Sequence, residues 1–263
     1  MDIKGKAAIV TGSSSTGIGG ETAKLLAQRG CNVVVNYATN EAGAAEVVAA
    51  CKAAGVDAIA VQASVAKDED CKRLVAAAIE RFGRLDVLVN NAATTRTIPH
   101  KRLDLLDAAE FERIFAVNVI GNYQMTKAAA EHLKATGDAA VVNISSVGAF
   151  RAGGSSIAYC ASKGALNTMT LSFARILAPE VRVNALCPGG LLGNWTSKIL
   201  SKERYAERVR KAKEEYPLAR AVWPADVAEA ALWLIQGAST MTGECIRMDS
   251  GQHLGELGTG AGN

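Results

Sequence analysis

The sequence predicts an α/β protein, a single doubly wound domain whose parallel sheet of about seven strands is covered by helices on both faces. Short apolar runs alternate with helical segments of about 10–15 residues along nearly the whole chain, which is typical of βαβ units. The apolar runs show no polar alternation, as expected of strands that are buried on both faces. Aromatic residues make up only 5% of the chain, which suits closely packed layers of helix and sheet.

The first half of the chain contains four predicted strands and three predicted helices. Glycines end the first two helices, at Gly30 and Gly55, where a residue without a side chain readily closes a helix. In chain order the predicted elements are a strand at 7–10, a helix at 18–29, a strand at 33–35, a helix at 41–54, a strand at 58–61, a helix at 68–82 and a strand at 87–89.

The second half continues this pattern, with a strongly charged helical stretch inserted near its end. The predicted elements are a helix at 104–134 that is broken near Asn118, a strand at 139–144, a helix at 157–177, a strand at 181–186, the charged stretch at 196–215, a helix at 225–235, a strand at 244–248 and a glycine-rich tail. No linker, internal repeat or low-complexity segment separates these elements. We therefore expect one domain over residues 1–263.

Composition excludes several functional classes. The 29 basic and 26 acidic residues give a net charge of +3, which is too balanced to indicate nucleic-acid binding. No stretch approaches 18 consecutive apolar residues, and residues 1–6 lack the features of a signal peptide, so we expect a cytoplasmic protein without a membrane span. The six cysteines form no C-x-x-C pair and the three histidines show no metal-ligand spacing, so we expect neither a disulfide framework nor a metal site.

A glycine- and hydroxyl-rich loop, TGSSSTGIG at 11–19, joins the first strand to the first helix. Glycines in this position let the backbone turn tightly and approach a pyrophosphate, whose charge is favoured by the free N–H groups of the helix N-terminus. The loop lacks the Gly-Lys-Ser/Thr of a Walker loop and the spacing G-x-G-x-x-G. It predicts a phosphate-binding turn, with a plain tight turn as the alternative.

Tyr159 and Lys163 lie four residues apart on a predicted helix and therefore share one face. A nearby ammonium group favours the phenolate and lowers a tyrosine pKa, which is otherwise about 10, so the pair predicts an acid–base group. Taken alone, the same spacing also fits an ordinary solvated helix face. Ser145 and Ser146 follow the strand at 139–144, and ligands bind at such carboxyl ends in doubly wound sheets.

These motifs resemble T-G-x-x-x-G-x-G and Y-x-x-x-K of the short-chain dehydrogenase/reductase family, with some similarity to the 3-oxoacyl carrier-protein reductases. Ser146 stands at the family's spacing before Tyr159, Asn118 matches the asparagine of its central helix, and RVNALCPG at 182–189 matches R-V-N-x-x-x-P-G. The match runs from about residue 4 to 251. The resemblance implies a Rossmann fold and hydride transfer between a nicotinamide cofactor and a carbonyl or secondary alcohol of small or medium size.

The resemblance also implies roles for individual residues. Tyr159 would protonate the substrate oxygen, Ser146 would hydrogen-bond to it, Lys163 would lower the pKa of Tyr159 and hold the ribose, and Asn118 would hold a water linked to Lys163. The residues implied for cofactor binding are Gly12, Ser14, Ser15, Gly17, Ile18, Gly19, Asn36, Tyr37, Ser64, Val65, Asn91, Ala92, Tyr159, Lys163, Pro188 and Gly189.

Departures from the family pattern bear on the cofactor. The first loop carries one extra residue between Gly12 and Gly17, and Ser64 stands where the family has aspartate. No carboxylate follows the second strand until Glu41, which removes the charge that would repel a 2′-phosphate. No basic residue lies there either. We therefore expect NADP(H) in preference to NAD(H), and the choice stays open.

The segment 189–220 is expected to form a substrate lid. Its portion 196–220 contains eight basic and four acidic residues, which either attract an anionic substrate or an acidic carrier protein or form a solvated helix face. The resemblance also implies a homo-oligomer, a dimer or a tetramer. A non-catalytic NADP-binding sensor is the alternative function. An enoyl reductase is disfavoured by the Tyr–Lys spacing, and an epimerase by the absence of extra length.

Overall fold

Seven parallel strands form the central sheet. They are β1 (Ala7–Val10), β2 (Asn32–Tyr37), β3 (Ala58–Gln62), β4 (Val87–Asn90), β5 (Ala139–Ile144), β6 (Val181–Pro188) and β7 (Cys245–Met248). Their order across the sheet is β3-β2-β1-β4-β5-β6-β7, so the direction of winding reverses between β1 and β4. A doubly wound sheet leaves a crevice at the carboxyl ends of the strands at such a reversal. The predicted α/β class and strand number are confirmed.

The computed structural model describes residues 1–255, without the side chains of Asn194, Trp195 and Ile199. The last residues of the expected domain, with the glycine-rich tail, lie outside the described residues. Within that range the helices are α1 (Ile18–Gln28), α2 (Glu41–Ala53), α3 (Asp68–Phe82), α4 (Ala108–Phe115), α5 (Gly121–Lys134), α6 (Gly148–Arg151), α7 (Ile157–Leu177), α8 (Asn194–Ile199), α9 (Lys202–Glu214) and α10 (Pro224–Gln236).

Apolar side chains cover both faces of the sheet. Val33 and Val35 of β2 pack into one cluster with residues of α1, α2 and α10. Val34, which points the other way, packs into a second cluster with residues of α3, α5 and α7. Because successive side chains of a strand alternate between faces, a strand buried on both sides needs an unbroken apolar run.

Three segments differ from the predicted elements. The helix expected from 104 begins at Ala108, and near Asn118 it continues through a π-helical turn, Ala116–Ile120, instead of breaking. The charged stretch at 196–215 forms two helices, α8 and α9, and the short helix α6 was not predicted. These differences arise where tertiary contacts, more than local periodicity, decide the backbone.

A buried carboxylate joins the two strands beside the reversal. Asp86, just before β4, is fully buried and accepts a hydrogen bond from the backbone N–H of Ala7 at 2.9 Å. The guanidinium of Arg84 donates to both of its carboxylate oxygens, at 2.7 and 2.8 Å. The bidentate geometry compensates part of the cost of burying the charge. The pair therefore helps to hold β1 against β4, below the crevice.

Two further observations concern the described residues as a set. No helix among residues 1–255 combines the length and apolar character needed to cross a membrane. The same residues contain no group of three or more histidine, cysteine, aspartate or glutamate side chains that could hold a metal ion.

Candidate active site

A cleft of about 1030 Å³ lies at the carboxyl ends of the strands. It brings together most of the residues that the sequence predicts for the site; Tyr37 and Asn118 do not line it. The predicted residues along its wall are Gly12, Ser14, Ser15, Gly17, Ile18, Gly19, Asn36, Ser64, Val65, Asn91, Ala92, Ser146, Tyr159, Lys163, Pro188 and Gly189.

The loops after β1 and β4 hold each other. The hydroxyl of Thr11 accepts hydrogen bonds from the backbone N–H groups of Asn91 and Ala92, at 2.9 and 3.0 Å. The Asn91 side-chain amide donates to the carbonyls of Thr11 and Gly12, both at 2.9 Å. A Cβ on Gly19 would lie 2.4 Å from the Asn91 amide nitrogen, so only glycine fits there. This packing fixes the loop at the N-terminus of α1, where a pyrophosphate is favoured.

The extra residue of the first loop is accommodated by two glycines outside the motif. A Cβ on Gly20 would lie 1.7 Å from the Ser15 carbonyl oxygen, and one on Gly43 would lie 2.2 Å from the Ser14 carbonyl oxygen. The Asn40 side-chain amide also donates to the Ser14 carbonyl. The longer loop is therefore pressed against the first turns of α1 and α2. The sequence feature that corresponds to this packing is Gly20, directly after the motif.

The side chains of Asn36 and Tyr37 make contacts within the fold. The Asn36 side-chain oxygen accepts from the backbone N–H of Gly12 at 3.0 Å, and its side-chain amide donates to the carbonyl of Ala63 at 3.0 Å. The Tyr37 side chain packs in the core with Val33 and Val35 and does not line the cleft. The assignment of Tyr37 to the cofactor site is therefore wrong for its side chain, because β2 extends two residues farther than expected and turns Tyr37 inward.

The two serines after β5 have different surroundings. The Ser145 hydroxyl is buried and donates to the side-chain oxygen of Asn167 at 2.6 Å. The Ser146 oxygen accepts from the backbone N–H of Gly148 at 3.0 Å, and the Ser146 hydroxyl lies close enough to Tyr159 to lower its pKa. Ser146, and not Ser145, is therefore directed at the tyrosine, as its spacing from Tyr159 predicts.

Burial controls the pKa values of Tyr159 and Lys163. Burial raises the pKa of Tyr159 to about 12, against the smaller lowering effect of its hydrogen bond with Ser146. Burial also lowers the pKa of Lys163 to about 8. The Lys163 ammonium donates to the carbonyl of Ile144 at 2.7 Å and lies 5.7 Å from the centre of the Tyr159 ring. Desolvation therefore has the largest effect on the Tyr159 pKa, and the lowering effect expected from Lys163 stays a prediction.

Comparisons with known proteins agree with this geometry. A family model described as "Enoyl-(Acyl carrier protein) reductase" matches residues 12–253. A Streptomyces violaceoruber protein named as ketoacyl reductase 2 of the granaticin polyketide synthase is 43% identical over 247 residues, which are 94% of this chain and 96% of that protein. A solved structure named as a short-chain dehydrogenase/reductase from Burkholderia xenovorans has a TM-score of 0.87 and 42% identity, covering 95% of this chain and 98% of that one. The chain belongs to the short-chain dehydrogenase/reductase family.

Membership of this family confirms the predicted class of enzyme. A 3-oxoacyl-[acyl-carrier-protein] reductase of Staphylococcus aureus is 33% identical over 251 residues, 95% of this chain and 98% of that protein, which confirms the similarity to that branch. The protein is an NAD(P)-dependent oxidoreductase that acts on CH–OH and C=O groups. These findings favour the oxidoreductase hypothesis over the non-catalytic sensor.

Asn118 lies behind the cleft and is fully buried in the π-helical turn. Its side-chain oxygen accepts from the backbone N–H of Thr94 at 2.8 Å, and its amide donates to the Thr94 carbonyl and the Ser162 hydroxyl, both at 3.0 Å. Its own carbonyl accepts from the amide of Asn122 at 2.8 Å. The expected water-holding role therefore does not match its side chain, which joins α7 to the loop after β4. Asn122 is a polar contact that the sequence reasoning missed.

The family's proline–glycine segment closes the cleft on the β6 side. The backbone N–H of Gly189 donates to the carbonyl of Met248 at 2.8 Å, and a Cβ on Gly189 would lie 2.6 Å from a methyl of Val147. Thr196 also lines the cleft, but its hydroxyl donates to the carbonyl of Gly193 at 2.9 Å. Arg151, Tyr216 and Gln252 line the cleft as well, and no motif had indicated them.

Proposed function

We propose that this enzyme interconverts a carbonyl group and a secondary alcohol on a small or medium-sized substrate, with Tyr159 as the acid that protonates the substrate oxygen. The observation that carries the proposal is that Ser146, Tyr159 and Lys163 line the same cleft, with the Lys163 ammonium 5.7 Å from the centre of the Tyr159 ring. A substrate oxygen placed between two converging hydroxyls receives hydrogen bonds from both. Such donors stabilise the charge that develops on oxygen in the transition state, by a few kcal/mol.

The cleft fits a nicotinamide dinucleotide. The glycine-rich backbone at 12–19 lies at the N-terminus of α1, where the N–H groups favour a pyrophosphate, and no side chain can grow from Gly12 or Gly19 without a clash. Ser64 and Val65 are assigned to the adenine side, and Tyr159 and Lys163 to the ribose of the nicotinamide. When bound, the dinucleotide supplies or accepts the hydride.

Tyr159 and Lys163 have different roles in proton transfer. A phenol with a pKa of about 12 is fully protonated near neutral pH, so Tyr159 is ready to donate a proton in the reductive direction. Lys163, with its pKa of about 8, can gain or lose a proton in the same range and so replace the one that Tyr159 gives up. Asn118 keeps α7, which carries both groups, in place through Ser162.

We propose NADP(H) as the preferred cofactor. The cleft residues that follow β2 are Ala38, Thr39 and Asn40, none of which carries a charge to repel a 2′-phosphate. Fluorescence titration with NADPH and NADH in parallel is the test. Tighter NADPH binding is expected, and a preference for NADH would overturn the cofactor assignment while leaving the enzyme class intact.

We also propose a homo-oligomer, a dimer or tetramer, acting in the cytoplasm on a small molecule. Ile120 and Leu171, on the central helical segments, have about half of their surface exposed and are available to pack against a second copy. The six cysteines are all unpaired, which suits a reducing compartment. Light scattering of the purified protein tests the oligomer, and a monomeric mass would contradict it.

Substitution of the tyrosine tests the mechanism. Tyr159→Phe is expected to lower kcat for carbonyl reduction at least about 100-fold, since it removes only the proton donor. Ser146→Ala is expected to lower kcat by a similar factor. Tyr123→Phe is the matched control, because it makes the same change on an exposed side chain, and it should leave kcat unchanged. Turnover by Tyr159→Phe at the wild-type rate would refute the proposal.

Reduction of a carbon–carbon double bond is a second candidate, favoured by the description of the matching family model. The position of Ser146 beside Tyr159 in the cleft and the four-residue spacing of Tyr159 and Lys163 favour C=O chemistry instead. NADPH oxidation should be followed with 3-oxobutanoyl and but-2-enoyl thioesters in parallel. Faster turnover of the enoyl thioester would establish the second candidate.

A further inference from the structure

One side of helix α9 presents basic side chains to the cleft. Arg204, Arg208 and Lys211 are spaced four and three residues apart, so they lie on one face of the helix, and all three line the cleft. Glu207 is the acidic residue of α9 that lines the cleft with them. A substrate whose carbonyl lies at Ser146 and Tyr159 would contact these residues of α9 with the part that does not react.

Ion pairs within α9 neutralise some of its charges but not those of two arginines. Lys211 pairs with Glu207 at 3.5 Å, and on the outer face Arg210 pairs with Glu214. Among residues 1–255, no carboxylate forms an ion pair with Arg204 or Arg208. Arg208 is half-buried and lines the cleft. The cleft side of the helix therefore carries one internal pair, Glu207 with Lys211, and two arginines outside any ion pair with residues 1–255.

A second arginine approaches the same place from the catalytic side. Arg151, on α6 five residues after Ser146, lines the cleft, and its guanidinium donates to the Gln252 carbonyl at 3.5 Å. Burial raises the pKa of Tyr216; Arg208 and Arg151 lower it, and Glu215 and Asp249 raise it. The Tyr216 hydroxyl accepts a hydrogen bond from the side-chain amide of Gln252 at 2.8 Å. Arg151, Arg208 and Tyr216 thus line the same cleft.

The acidic groups near this wall are engaged or point elsewhere. Asp249 accepts hydrogen bonds from the backbone N–H groups of Gly251 and His253, and its other contact is the ring of His253 at 2.8 Å. Glu215, at the end of α9, is exposed and does not line the cleft. The charged residues that line the cleft are Arg151, Lys163, Arg204, Glu207, Arg208 and Lys211, five basic and one acidic.

We propose that the substrate carries an anionic group, a carboxylate or a phosphate, which Arg208 and Arg151 bind beside Tyr216 while its carbonyl lies at Ser146 and Tyr159. The inference rests on the proposed function, because it names the substrate class of the same cleft. Arginine presents paired donors that match the oxygens of both anions. The anion belongs either to a small free substrate or to the phosphate of a pantetheine-linked thioester.

Binding is measured first, by calorimetry on the enzyme with oxidised cofactor, so that the result does not depend on turnover. The probes are two pairs that differ in charge: 4-oxopentanoate with its methyl ester, and dihydroxyacetone phosphate with dihydroxyacetone. 3-Oxobutanoyl-coenzyme A tests the thioester source. We expect at least one anionic probe to bind tenfold or more tightly than its neutral counterpart, and this preference to fall as salt is raised. Equal affinities within both pairs, with no tight coenzyme A thioester, would overturn the inference.

Arg208→Gln is the test variant and Arg210→Gln, on the outer face of the same helix, is its matched control. Arg208→Gln should weaken binding of the preferred anionic probe at least tenfold and leave the affinity for its neutral counterpart unchanged. Arg210→Gln should change neither affinity. Thermal unfolding checks that both variants fold. An equal loss for anionic and neutral probes would assign Arg208 a structural role and refute the proposal.

The two proposals fail in different ways. If Tyr159→Phe is inactive but the anionic and neutral probes bind alike, only the anionic substrate class is refuted. If Tyr159→Phe turns over like the wild type while the anion preference depends on Arg208, the mechanism is refuted and the anion site stands.

Discussion

Gly20→Ala tests how the longer phosphate loop is accommodated. The new Cβ would lie 1.7 Å from the Ser15 carbonyl oxygen and 2.9 Å from the Ser15 carbonyl carbon, so backbone, not a flexible side chain, must move. Atoms in contact prefer separations near 3.5 Å, so the loop must shift by about 1.5–2 Å. That shift would displace the N–H groups that face the pyrophosphate.

The expected magnitude follows from the bonds that the shift would break. A hydrogen bond to a charged group contributes about 1.5–3 kcal/mol, so losing one such bond weakens nucleotide binding about 10- to 100-fold. Alanine is otherwise the better helix former, by up to about 1 kcal/mol. Gly20→Ala should therefore weaken cofactor binding strongly while changing the unfolding free energy much less.

NADPH fluorescence titration and urea unfolding measure the two effects separately. Gly164→Ala is the control, because a Cβ on this helical glycine of α7 meets no atom within 4 Å; it should leave NADPH affinity unchanged. Deleting Ser15 in the Gly20→Ala background removes the clashing carbonyl and should restore most of the affinity. Wild-type affinity in Gly20→Ala itself would refute the packing described for this loop.

Two further outcomes are expected. The buried Lys163 has a pKa of about 8 against an ordinary 10.5, so its protonated form destabilises the fold below pH 8, and this cost disappears as the pH rises toward 10.5. Relative to Lys163→Met, the wild type should therefore gain up to about 3 kcal/mol in unfolding free energy over this range, as measured by urea unfolding. Parallel pH profiles for the two proteins would contradict this expectation. Asp86→Ala leaves the buried Ala7 N–H without its acceptor and should lower the unfolding free energy by about 1–3 kcal/mol, since the Arg84 guanidinium is exposed enough to be solvated. Asp104→Ala, which breaks an exposed pair, is the control and should have no measurable effect, and equal melting curves for the two would refute the argument.

The elements that the sequence predicts well are those with long, uninterrupted patterns. The helix at 157–177 and the strand at 139–144 have the predicted bounds, because the strand is buried throughout, the helix buries one face, and the local preference of each agrees with its packing. The π-helical turn at Ala116–Ile120 could not be predicted this way. It depends on Asn118 bonding across to Thr94 and Ser162, which are distant in sequence.

Tyr37 shows how a small error in a strand end becomes an error in a site. Because side chains of a strand alternate with a period of two, extending β2 to Tyr37 places this residue on the same face as Val33 and Val35, in the core. Asn36 then takes the opposite face and reaches Gly12 and Ala63. The end of a strand is decided by its neighbours' hydrogen bonds, so sequence periodicity gave the faces but not the length.

The spacing of Tyr159 and Lys163 predicts which groups come together but not their pKa values, which depend on burial. Four-residue spacing correctly predicts that Tyr159 and Lys163 share a helix face, but it says nothing of how far water is excluded from them. Desolvation sets both pKa values in the direction of the neutral forms, a protonated phenol and a readily deprotonated amine. A neutral phenol is the proton donor that carbonyl reduction requires. Under the proposed mechanism, exclusion of water from Tyr159 keeps the phenol protonated near neutral pH, as the reductive direction requires.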